Sequence, residues 1–275
     1  MAETNTVQET KEFWRHGHFR DLGLLKARFT RHRYDRHTHP TYVIALITDG
    51  AERVQVGRAP VLAPAGTILA VNPEEWHDGE AGADAGWAYR TFYPTVDLLA
   101  GIAAEAGQPH TPLFPATMDD PDLFRALAAA HRTSLSQDAT AAEASMLTAL
   151  RQLVLRHGGR GGRADQAGPA GSRRRLSLYQ QVIEDNLAGP LDLQRLADAA
   201  QVTRFQVIRD FRKVAGLTPA AFIRDRKLRR ASRLIEQGAA LADAAFAAGF
   251  ADQSHLSRSF RAAHGITPGM FRRTG

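Results

Sequence analysis

Apolar residues in the first third of the chain come in short runs or alternate with polar ones. Tyr42-Val43-Ile44-Ala45-Leu46-Ile47 is an unbroken apolar run closed by Asp49-Gly50. Arg53-Val54-Gln55-Val56 alternates, Gly66-Thr67-Ile68-Leu69-Ala70-Val71 is a second run closed by Asn72-Pro73, and Trp87 to Tyr93 alternates aromatic with polar. Short segments of period two, separated by Gly and Pro, predict strands of a sandwich or small barrel between about Phe29 and Tyr93. From Asp119 the period changes. Pro121 to Ser134 and Ala139 to His157 are rich in Ala and Leu, with Leu147, Leu150 and Val154 at helical spacing. These predict a helical hairpin whose apolar stripe either forms a homodimer or packs on the chain's own barrel. Gly158 to Ser172 has no apolar period and reads as a flexible linker. Residues 176–275 read as helices throughout.

That last segment contains a repeat. Phe211-Arg212-Lys213-Val214-Ala215-Gly216-Leu217-Thr218-Pro219 recurs as Phe260-Arg261-Ala262-Ala263-His264-Gly265-Ile266-Thr267-Pro268, an offset of 49 residues. The same offset pairs Ala200 with Gly249 and Arg209 with Arg258. In each copy a small residue ends one helix, a tight turn follows, and a second helix starts at a capping residue, Thr203 or Asp252. That is the layout of a helix-turn-helix. Thr218-Pro219 starts one long helix, to Glu236, joining the copies.

On the second helix of each copy, Val207, Phe211, Leu256 and Phe260 face inward. Outward positions are Arg204, Phe205, Gln206 and Arg209 in one copy and Gln253, Ser254, His255 and Arg258 in the other. Gln and Arg can pair with adenine and guanine edges, and Phe205 can touch a thymine methyl. With the cap Thr203, these are the candidate DNA-binding residues. The linking helix carries Arg224, Arg226, Lys227, Arg229, Arg230 and Arg233, a mixture of phosphate contacts and solvated charges.

Charge follows the same division. The chain of 275 residues has a formal net charge of +6, and residues 173–275 hold 18 Lys/Arg against 9 Asp/Glu while residues 1–172 hold 17 against 20. A basic half beside a mildly acidic one fits a nucleic-acid module joined to another domain. The absence of cysteine excludes disulfides, zinc thiolates and thiol catalysis. No apolar stretch nears the roughly 20 residues of a membrane helix, so a cytoplasmic protein without membrane contact is expected.

Residues 177–275 resemble the DNA-binding domain of the AraC/XylS family of regulators. The resemblance is carried by Leu196-Ala197, by Ala245-Phe246-Ala247-Ala248-Gly249-Phe250-Ala251-Asp252-Gln253-Ser254-His255-Leu256-Ser257-Arg258-Ser259-Phe260, and by Gly265-Ile266-Thr267-Pro268. It implies a bacterial transcription regulator that places two recognition helices in adjacent major grooves, acts as a homodimer and works with RNA polymerase.

Upstream, His37-Thr38-His39 before the first strand run and Gly66-x5-Asn72-Pro73-x3-His77 after it resemble the two motifs of a cupin barrel. Where metal-binding cupins carry a glutamate this chain has Val43 or Ile44, so one ligand is missing. Three readings stay open for His37, His39 and His77: an effector pocket walled by Tyr42, Trp87 and Tyr89, a metal site, or structural hydrogen bonding. The pocket is the working assignment, with no metal, cofactor or catalytic residue. A cupin-type metal-dependent enzyme or metal sensor tethered to DNA is the alternative.

The expected fold class is α+β: a cupin-like β-barrel with a helical hairpin, then an all-α domain of two helix-turn-helix units joined by a long helix. The expected domains are 1–157 for effector binding and dimerisation, 158–172 as linker, and 173–275 for DNA.

Overall fold

The computed structural model describes residues 9–19, 22–57, 59–159, 169–189 and 191–273. They form two compact units, one of the described residues up to 34 and from 38 to 159, the other of residues 35–37 and those from 169 onward. Most of the expected linker, residues 160–168, lies outside the described residues. Of its ends, Gly159 pairs with Leu113, and a helix already begins at Ala170.

The first unit is a sheet covered on one face by helices. Its strands are β1 (Thr10–Arg15), β2 (Leu22–Phe29), β3 (Arg33–His37), β4 (Val43–Val56), β5 (Ala59–Pro64), β6 (Ile68–Val71), β7 (His77–Ala81), β8 (Trp87–Pro94) and β9 (Thr117–Met118). The main path runs β1-β2-β8-β4-β6-β9, with β5 and β7 paired to β4 and β3 to β7. The path does not close, so the expected barrel is an open sheet.

Asp49-Gly50 looks like a turn in sequence, but β4 runs through it. The register against β8 shifts between Ile47 and Asp49, which marks a bulge. Gly50 takes φ 64°, and a Cβ there would lie 2.0 Å from the carbonyl oxygen of Gly86. Only glycine fits both the left-handed backbone and this approach. Beyond Gly50 β4 has left β6 and β8 and pairs with β5 and β7.

Alternation sorts the sheet into two faces. Leu22, Leu24, Tyr42, Ile44, Leu46, Ile68, Ala70 and Phe92 form one core with helices α1 (Val96–Glu105), α2 (Pro121–Thr133) and α3 (Ala139–His157). Leu150 and Val154 are fully buried in it, so most of the stripe expected to form a dimer faces the chain's own sheet. Leu147 stays exposed, with Leu155 two turns further on. Asp120 ties this layer together. It caps α2 by accepting from the Leu123 N–H, and it meets Arg156 at 3.0 Å and His157 at 2.8 Å at the end of α3.

The second unit is helical: α4 (Ala170–Asp185), α5 (Leu193–Ala199), α6 (Arg204–Val214), α7 (Pro219–Glu236), α8 (Leu241–Ala247), α9 (Gln253–His264) and α10 (Pro268–Arg272). Thr203, Thr218, Asp252 and Thr267 each accept a backbone N–H three residues on, as their positions predict.

The repeat is less regular than its sequence. Val202 N–H bonds to Ala197 O, and the matching bond in the second copy runs from Phe250 to Ala245, an offset of 48. The caps Thr203 and Asp252 are offset by 49. The second turn is therefore one residue longer. Its left-handed position is Gly249 (φ 81°), whereas in the first copy it is Gln201 (φ 51°), one residue after Ala200.

Candidate nucleic-acid interface and ligand site

The two second helices present what the sequence pattern predicts. Val207, Phe211, Leu256 and Phe260 are buried, and Thr203, Arg204, Phe205, Arg209, Gln253, Ser254, His255 and Arg258 are exposed. Phe205 is 77% exposed, a large cost for an aromatic ring unless something covers it. Phe246 on α8, 81% exposed, is a second such ring and was not singled out by the sequence.

Gln206 is half-buried and differs from the rest. Its Nε2 donates to Asp210 Oδ1 at 2.8 Å, and its Oε1 accepts from Arg209 at 2.7 Å. Asp210 is fully buried and accepts two bonds from Arg175 of α4 and one from the Tyr179 hydroxyl. Burial pushes the Asp210 carboxyl up, but these donors outweigh it and hold the group at about 2. A fixed carboxylate thus aims Gln206 and, through it, Arg209. Ser259 stands where the second copy would have Asp210, so no such anchor acts on α9.

Not every basic side chain of α7 faces outward. Lys227 Nζ donates to Gly249 O at 2.6 Å, closing the turn of the second unit. Arg226 lies over the Phe222 ring at 4.8 Å and 3.6 Å from Glu184. Both support packing.

In the sheet unit, His77 opens β7 and His39 lies beside it. Single ring nitrogens of His39 and His77 lie within 4.8 Å of each other, while His37 falls with the other compact unit. Nδ1 of His37 meets Asp35 O at 2.7 Å, and Nδ1 of His77 meets Glu75 O at 3.1 Å. In the neutral rings those bonds place the proton on Nδ1 and the lone pair on Nε2. Such a set suits a divalent transition ion or a ligand's donor group. His39 stacks on His77 at 5.2 Å and touches Tyr93 at 5.5 Å.

Trp87 and Tyr89 also lie on this inner face, but Tyr42 does not. Tyr42 alternates to the helix-covered face, where its hydroxyl donates to Pro112 O at 2.7 Å and its ring packs on Phe114. Tyr42 is a core residue, because the run Tyr42–Ile47 is covered on both faces and its phase is invisible in sequence.

The inner face holds polar groups that the sequence reading passed over. The Tyr34 and Tyr89 hydroxyls bond to each other. Glu52 is 6% exposed beneath them. Burial, with Asp78 adding repulsion, pushes its carboxyl up to about 8. Glu52 stands in phase with Val54 and Val56, so its inward position was readable from alternation alone.

An aromatic-lined sheet joined to two helix-turn-helix units is the build of a ligand-responsive, DNA-binding transcription regulator. Known proteins agree. Residues 21–154 match the family model of the AraC-like ligand binding domain, and residues 196–274 match that of a helix-turn-helix domain. The HTH-type transcriptional regulator YbfI of Bacillus subtilis is 25% identical over 227 residues, 82% of each chain. The transcriptional activator NphR of Rhodococcus is 36% identical over 100 residues, 36% of this chain and 30% of its own length. The crystal structure of unsaturated fatty acid-bound ToxT from Vibrio cholerae aligns with all of this chain and 98% of its own, with a TM-score of 0.52 at 11% identity, a likeness of fold.

The chain belongs to the AraC/XylS family of transcription regulators. No helix among the described residues is long and apolar enough to cross a membrane.

Proposed function

We propose that α6 and α9 enter two successive major grooves of duplex DNA. Arg204, Phe205, Gln206, Arg209, Gln253, Ser254, His255 and Arg258 would meet base edges there, and Thr203 the backbone. The observation that carries this reading is the matched exposure of two capped helices on either side of the 18-residue α7. That helix is about 27 Å long at 1.5 Å per residue, near the roughly 34 Å between successive groove faces.

The inner face of the sheet is the effector site in this reading, with His37, His39 and His77 at one end and Trp87 and Tyr89 along it. The regulator works in the cytoplasm as a homodimer, through the exposed Leu147 and Leu155 of α3, and acts on RNA polymerase. The effector changes dimer geometry or releases the N-terminal segment before Phe29, because a ligand shifts the DNA-bound state only by binding it differently.

Fluorescence anisotropy of the full chain with duplex DNA tests the first part. Affinity should fall steeply with salt as counterions are released from phosphates. No binding at low salt, or binding indifferent to salt, refutes it. For the second part, His77→Ala should abolish the effector's influence on DNA binding while basal binding persists.

A further inference from the structure

Glu52 is a carboxyl group in a place that gives it no counter-charge. Among the described residues no Lys, Arg or His pairs with it. The basic side chains beside it on these strands, Arg33 and Arg53, are both committed to Glu80 at 3.3 and 3.5 Å. The nearby charged group that reaches it is Asp78, of the same sign.

Room for the carboxyl is made deliberately. A Cβ on Gly79 of β7 would lie 2.5 Å from Oε1 of Glu52 and 3.3 Å from the Tyr34 ring, so glycine opens the space that the carboxyl fills. Aromatic rings line the same face. Phe29 meets Tyr34 edge-on at 6.0 Å and Trp87 at 5.5 Å, and Trp87 lies parallel to Tyr89 at 6.3 Å. The charge of Glu52 is felt by Tyr34, Tyr89 and Tyr93 alike. Two further polar atoms on this face, Trp87 Nε1 and Thr91 Oγ1, are buried with no hydrogen-bond partner, in residues that are 0% and 1% exposed. Unmet buried polar groups are rare and call for an occupant.

An uncompensated buried carboxyl ringed by aromatic faces selects by charge. An anion finds no positive partner beside Glu52 and meets Asp78, of its own sign. Sugars need many donors and acceptors, and here one of the two O–H donors of Tyr34 and Tyr89 is used between them. A cation gains twice, from the carboxylate and from the ring quadrupoles. We propose that the effector of this regulator is an organic amine, its ammonium group held by Glu52 and its carbon skeleton lying on Tyr34, Trp87 and Tyr89. The inference rests on the inner sheet face being the effector site.

The test is a thermal-shift and calorimetric comparison on the full chain, with three probes of like shape: phenethylamine, 2-phenylethanol and 3-phenylpropanoate, plus tetramethylammonium and butylamine as smaller cations. At least one amine should raise the melting temperature, since a ligand of the folded state stabilises it, and the alcohol and acid should not. Glu52→Gln, nearly isosteric with the protonated acid, should weaken amine binding at least tenfold. In the unaltered chain at pH 6–7, amine binding should release close to one proton, read as a dependence of the heat on buffer ionisation. No response to any amine overturns the inference, as does equal binding of the acid or unchanged binding to Glu52→Gln. A broad metabolite screen keeps the two readings apart. A neutral or acidic effector whose binding is lost in Trp87→Leu would retain the site and sink the amine.

Discussion

Arg175 grips Asp210 with two hydrogen bonds, 2.6 Å from Nε and 2.8 Å from Nη2, and Asp210 is sealed from solvent. A charge in that position is tolerable only while its partner is present. Arg175→Ala should therefore destabilise the helical unit by about 3 kcal/mol, measured as a drop in the denaturant midpoint at constant slope. Replacing both residues, Arg175→Met with Asp210→Leu, should recover most of the loss. If the double variant is as unstable as the single one, the ion pair is not what Asp210 depends on.

Arg209→Ala and Arg258→Ala should each weaken operator binding by about 1–3 kcal/mol and relax selectivity at different base pairs. Selected binding sites for each variant, sequenced in parallel, read this out. Equal weakening on every sequence would make both arginines phosphate contacts.

The homodimer reading now rests on Leu147 and Leu155. The chain should sediment as a dimer at tens of micromolar, and the double substitution Leu147→Asp, Leu155→Asp should give a folded monomer. An unaltered chain that sediments as a monomer ends the proposal. An unchanged dimer in the double variant moves the interface elsewhere.

Glu52 also predicts a pH effect. The folded carboxyl keeps its proton to about 8, whereas the unfolded one loses it near 4.5. Between those values the folded state binds more protons, so this group's contribution falls as pH rises, by up to about 1.4 kcal/mol per pH unit. Tyr34, Tyr89, Tyr93 and Asp78 face it. The tyrosines stay neutral across the window, and Asp78 is of the same sign. His131, buried and held near 3, works the other way below pH 6.5, by losing stability as pH falls. The measurement is therefore a difference. The stability of the unaltered chain minus that of Glu52→Gln should decline from pH 5 to pH 8, and a flat difference would mean Glu52 ionises normally.

Much of the helical unit was readable because its signals are local. A capping Thr before Pro219, or Asp252 before Gln253, fixes a helix start within a few residues, and 3.6-residue spacing marks Val207 and Phe211 as core. The length of the turn was not readable. Ala200 and Gly249 align as letters, but the left-handed residue of the first copy is Gln201, and that of the second, Gly249, packs against Leu187, whose carbonyl oxygen lies where a Cβ would be.

The sheet yielded less. Alternation marks β4, β6 and β8 and puts Glu52 in phase with Val54, but β1 and nearly all of β2 precede Phe29, where the predicted strands begin. Tyr42 escaped because both faces of β4 are covered there, and Asp49-Gly50 passed for a turn because a bulge uses the same residues. Tyr34 joins Tyr89 from 55 positions away, a distance over which sequence periodicity carries no information.

The glycine bulge in β4 has a bearing on how such a protein diversifies. Gly50 nests against the backbone at Gly86, and Gly86 in turn against Phe29, where an added Cβ would sit 2.1 Å from its carbonyl oxygen. These glycines let the main chains of β2, β4 and β8 pack directly on one another at their crossing. Side chains on the inner surface beyond that crossing are therefore open to exchange one at a time, without disturbing the layer that grips the helices. A lineage, or an engineer, can retarget the sensor to a new molecule while inheriting the scaffold intact, provided the two glycines are left alone.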